Sequence, residues 1–158
     1  MKSATTPLVL TIVSLLSLSG PVSADPGHAH ATFSAGEPGN PKRTSRTILI
    51  TMREGDGKML FAPARVEIRR GEQIRFVLTN NGELEHEFVL ATTEENIKHA
   101  EEMKKNPDME HDDPNAKRVM PKKKSEIIWR FTKVGTFEYG CLIPGHRESG
   151  MTGTIVVK

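Results

Sequence analysis

Cysteine is almost missing from this chain of 158 residues: Cys141 is the only one. An internal disulfide is therefore excluded, and a lone thiol in an exported protein has to be protected or used. Aromatic residues amount to 5%, with a single Trp and a single Tyr, which argues against a surface that stacks single-stranded nucleic acid. An excess of one charge is lacking too. Lys plus Arg number 22 against 20 Asp plus Glu, so neither nucleic acid nor a basic membrane patch is indicated as partner. The one sustained apolar run, residues 8–18, is too short to cross a bilayer comfortably. No internal repeat is present.

What is there begins with an export signal. Lys2 precedes the apolar run, and Val22, Ser23 and Ala24 form a small-residue cleavage site, so residues 1–24 are expected to be removed. Residues 25–46 are rich in Gly, Pro, Ser, Ala and Thr without apolar periodicity and are expected to form a flexible tail. Residues 47–158 alternate apolar and polar positions in short runs punctuated by turns. The runs fall at residues 47–52, 58–61, 66–68, 74–79, 86–90, 125–131, 135–139 and 154–157. Seven or eight short strands of this kind predict an all-β, two-sheet Greek-key sandwich. One insertion, residues 92–124, interrupts it. There Thr92 and Glu95 form a capping box, Glu94–Lys98 and Glu101–Lys105 are favourable i,i+4 pairs, and Pro107 stops the helix. Residues 106–124 read as polar and irregular.

The chemistry concentrates between the last two strands, where Cys141, His146 and Met151 are spaced Cys-x4-His-x4-Met. A thiolate, imidazoles and a weak thioether suit a copper that exchanges one electron, because that set compromises between the preferences of Cu(I) and Cu(II). Such a site needs a second histidine, and His86, opening the run of residues 86–90, is the best placed. Pro144 stiffens the loop, and Gly145 and Gly150 permit sharp turns. Leu142 and Ile143, with Met59, Phe61 and Pro63, are candidates for excluding water.

On these residues the chain resembles the cupredoxins, the small type 1 blue copper proteins. The ligand-loop spacing is similar to that of rusticyanin and auracyanin, and the segment Glu85 to Phe88 together with Cys141 to His146 looks most like small periplasmic cupredoxins linked to copper tolerance. The resemblance covers roughly residues 47–158. It implies a cupredoxin fold, one copper held by His86, Cys141, His146 and Met151, and electron transfer through the exposed edge of His146. The chain departs from the family at Glu87, where many members carry an Asn that ties the two ligand segments together.

Two roles follow from the resemblance: periplasmic copper tolerance, or a dedicated electron carrier to a respiratory or photosynthetic redox partner. An independent copper oxidase or nitrite reductase would need further domains and more His-rich sites than six histidines provide, so no enzyme activity is expected. A zinc at Cys and two His is disfavoured by the axial Met. A monomer is expected. Accessory copper-binding candidates are His28 and His30 in the tail, and His99, Met103, Met109, His111 and Met120 in the insertion. The polar character of that segment leaves little apolar packing to explain its methionines, so additional, weaker copper sites are expected there.

Overall fold

The structure is a computed structural model, and it describes residues 32–106 and 113–158. Among the described residues there are ten strands and one helix, and the strands form two five-stranded sheets. The first sheet contains β1 (Glu37–Pro38), β2 (Arg46–Gly55), β3 (Lys58–Ala62), β5 (Gln73–Asn80) and β8 (Lys124–Arg130), in the order β1-β8-β5-β2-β3. The second contains β4 (Arg65–Ile68), β6 (His86–Ala91), β7 (Ala116–Val119), β9 (Gly135–Gly140) and β10 (Thr152–Val157), in the order β4-β10-β9-β6-β7. Most neighbours are antiparallel. The exceptions are β2 with β5 and β10 with β4, which pair in parallel and so require the chain to cross between sheets.

The period of two in the sequence becomes the core. Along β5, Ile74, Phe76 and Leu78 point inward while their neighbours stay half-exposed, and β10 repeats the pattern with Ile155 and Val157. Phe76, Phe88, Phe131, Trp129 and Tyr139 fill the space between the sheets, with Phe88 stacked on Tyr139 at 5.2 Å. Full burial of each such side chain contributes about 1.5–3 kcal/mol.

Strand β6 differs, because all six of its residues are buried. Its inner face, Phe88 and Leu90, joins the main core. Its outer face is covered by α1 (Thr93–Lys105), which presses Ala100 and Met103 onto Val89, Ala116 and Leu142. The expected capping box is formed: Thr92 accepts from the Glu95 amide, and Glu95 accepts from the Thr92 amide at 2.9 Å. The ion pairs of α1 differ from those expected. Among the described residues, Lys104 bonds Glu101 at 2.8 Å and reaches Glu148 at 3.0 Å, tying the helix to the loop before β10.

Three expectations are corrected. The described part of the segment read as a tail is packed on the sandwich: β1 pairs with β8, Ala35 is fully buried, and Phe33 meets Trp129 edge-on at 5.2 Å. Its Gly and Pro content reflects close approach, since a Cβ at Gly36 would lie 2.1 Å from the Arg130 carbonyl oxygen. The stretch read as irregular contains β7, whose buried Ala116 and Val119 flank two charged residues. A run of four with only its ends inward leaves little periodic signal. Met103, read as a surface ligand, is fully buried in the cluster beneath α1.

Candidate metal centre

The centre lies at one end of the sandwich, where three chain segments meet. His86 is the first residue of β6, Cys141 directly follows β9, and Met151 directly precedes β10. Because β9 and β10 pair with Gly140 opposite Thr152, the two ends of the ligand loop are held side by side. The loop closes on itself: the Cys141 amide donates to the Met151 carbonyl at 3.1 Å, and the Met151 amide donates to the His146 carbonyl at 3.2 Å. Between them the chain turns through positive φ at Gly145 (88°) and Gly150 (97°), a conformation that disfavours any residue with a Cβ. The Met59 amide on β3 bonds the Ser149 carbonyl, fixing the loop to the first sheet.

These constraints bring three donor atoms together. His86 Nδ1 stands 3.3 Å from His146 Nδ1, and Cys141 Sγ stands 3.3 Å from the same nitrogen. His86, Cys141 and His146 thus form a group of mutually close metal-type donors, with all three ligand atoms within 4.8 Å of one another. Bonds of roughly 2.0–2.3 Å to nitrogen and sulfur would separate three donors around one ion by about 3.5 Å, so the spacing fits. Two imidazoles and a thiol gathered at this spacing are the donor types that a transition metal takes, which is the physical case for a metal here. The side chain of Met151 is fully buried, and its backbone is bonded to both loop ligands.

Burial sets the ionisation of the site. It pushes the Cys141 thiol up to about 12, against the partial relief of an N–H bond from the Glu87 amide to Sγ at 3.3 Å. Only a strong cation makes so buried a thiol a thiolate. Burial, reinforced by the neighbouring His86, also depresses His146, leaving its ring neutral and able to donate a lone pair. The departure at Glu87 leaves the link between the ligand segments in place, because the backbone amide of that residue carries it.

Two residues around the site have no signal in a simple reading of the sequence. Asn80, at the end of β5, is fully buried; its Oδ1 accepts from the Gly82 amide, and its Nδ2 donates to Leu84 O and Val119 O at 2.7 and 2.9 Å. It shapes the turn that delivers His86. Glu54, near the end of β2, accepts from His86 Nε2 at 2.6 Å. In the sequence both stand among residues typical of turns, Asn80-Asn81-Gly82 and Glu54-Gly55-Asp56-Gly57.

Of the accessory candidates, Met103 is buried beneath α1. His99 lines a cavity of about 140 Å³ with Asp113, Asn115 and Ala116, whereas exposed Met120 follows Val119 at the opposite, His86 end of β7. His28, His30, Met109 and His111 lie outside the described residues.

A Greek-key sandwich with two imidazoles and a thiol gathered at one end defines a protein of the cupredoxin class. Residues 48–158 match the model of the copper binding proteins of the plastocyanin/azurin family. The chain belongs to that family. It is 43% identical to the copper-resistant cuproprotein CopI of Rubrivivax gelatinosus, over 96% of each chain, and 33% identical to the protein of the same name from Pseudomonas aeruginosa, over 85% of this chain and 87% of that one. In structure it is similar to the auracyanin of Roseiflexus castenholzii, with a TM-score of 0.60 and 21% identity, covering 73% of this chain and 99% of that one. The last likeness concerns the fold.

Proposed function

We propose that this is an exported copper protein that serves copper tolerance, holding one ion between His86, Cys141, His146 and Met151. The observation that carries the proposal is the convergence of His86 Nδ1, His146 Nδ1 and Cys141 Sγ on one point. Near-full-length similarity to proteins named copper-resistant cuproproteins supports the physiological half. Bound copper supplies one-electron redox chemistry at that point. Cys141 and the two imidazoles provide donors acceptable to both oxidation states, and Met151 caps the set with a weak one. His86, Cys141 and Met151 are themselves fully buried, which keeps water from the centre. His146 is only half-buried and so offers a route for an electron to the surface. Residues 1–24 would direct the chain out of the cytoplasm; among the described residues no helix is long and apolar enough to cross a membrane.

Growth on graded copper tests this reading. A strain without the protein should become copper-sensitive; the wild-type chain should restore tolerance and the Cys141→Ser chain should not. Equal rescue by both would refute it. The partly exposed His146 also fits a carrier that delivers electrons to a partner. Unchanged copper sensitivity with impaired respiratory or photosynthetic growth would favour that second role.

A further inference from the structure

The Glu54 carboxylate occupies a position that its own strand does not explain. It projects from β2 into the turn before β6, where Oε1 accepts from the Leu84 amide at 3.1 Å and Oε2 from the Glu83 amide at 3.0 Å. Oε1 also accepts from His86 Nε2 at 2.6 Å, and the His86 side chain is entirely buried. The turn is shaped to admit it. A Cβ at Gly82 would lie 2.3 Å from both carboxylate oxygens, so glycine is needed there for space. Asn80 holds the same turn from its other side.

We infer that Glu54 is a positioning residue for the copper centre: its carboxylate fixes His86 with the proton on Nε2 and the Nδ1 lone pair facing Cys141 and His146. The inference rests on His86 being a ligand, as proposed above. A ring has one proton to place when neutral. An acceptor bonded at Nε2 keeps the proton there, and Nδ1 is left as the donor toward His146 Nδ1, 3.3 Å away, and Cys141 Sγ, within 4.8 Å. A full negative charge on that acceptor also makes the imidazole a stronger donor, which favours Cu(II) over Cu(I). Glu54 thus acts through His86 on both the geometry and the redox balance of the site.

Three measurements test this. In the apo wild type, long-range nitrogen–proton NMR of His86 should show the Nε2–H form; an Nδ1–H form would overturn the inference without any variant. Glu54→Gln and Glu54→Ala should weaken Cu(II) binding by about 10–100-fold while changing Cu(I) binding little. A tenfold selective loss corresponds to a rise of about 59 mV in the reduction potential. Gly82→Ala should move the potential in the same direction with Glu54 still present, because the new methyl group displaces the flexible carboxylate from His86. If Glu54 only anchored the turn, Cu(I) and Cu(II) binding would fall together and the potential would stay where it is, and that result would refute the inference. Wild-type protein that binds no copper would instead refute the reading on which the inference rests.

Discussion

Met151 is a weak donor held at full burial between the backbones of Cys141 and His146, and weak donors matter most to the oxidised ion. Met151→Leu is therefore expected to retain copper and to raise the reduction potential, as voltammetry would show; an unchanged potential would remove Met151 from the site. A second residue-scale prediction concerns Gly153, whose Cβ would stand 2.1 Å from the ring of Tyr139. That ring is locked by Phe88 and Phe61, so Gly153→Ala should cost about 1–3 kcal/mol in chemical denaturation. At this scale much of the centre was legible. Cys141 and His146 lie within a single loop, and one strand-opening histidine, His86, joins them in the cluster. Glu54 was not legible, because its partner His86 is 32 residues away and its own surroundings read as a turn. Long-range polar pairing leaves no mark on local pattern.

Helix α1 is the element that turns a strand edge into a rigid support for the ligand loop. It covers Leu142, the residue after Cys141, and its Asn96 donates to Glu138 at 3.1 Å while Glu138 pairs with Arg147, the residue after His146, at 2.9 Å. Met103→Ala should destabilise the fold by about 2–5 kcal/mol, since its side chain is fully buried in the cluster beneath α1. Thr92→Ala removes the cap and should cost about 1 kcal/mol by thermal unfolding. The cap also responds to acid. Burial alone would raise the Glu95 carboxyl, but bonds from Ser34 and Thr92 outweigh it and hold the group below its usual range. Its contribution is present above the ordinary carboxyl range and is lost as pH falls through the lowered folded value. Stability of the wild type should thus fall more steeply in acid than that of Glu95→Gln. The helix was readable from its capping box, which is a local device. Strand β7 was not, because its two inward residues are Ala116 and Val119 and the strand is recognisable only beside β6.

At the scale of the whole molecule, two sheets hold three distant segments at one end so that the donors meet before any ion arrives. The alternation of β5 and β10 made the sandwich legible, whereas the parallel pairing of β2 with β5 and β4 with β10 is a property of chain crossing that no single strand encodes. The segment before β2 was misread for a related reason: its order comes from the β8 edge and Trp129, not from its own composition. Removing residues 1–38 should accordingly lower the unfolding midpoint by about 5 °C or more, through loss of β1 and the Phe33–Trp129 contact. The central claim, that Cys141 with His86 and His146 forms a copper site, is tested most directly by titrating Cu(II) into the metal-free protein while recording its visible spectrum. An intense thiolate-to-copper absorption should grow to saturation at one ion per chain in the wild type and be absent in Cys141→Ser. No such band in the wild type, or an equally intense one in Cys141→Ser, would contradict the account.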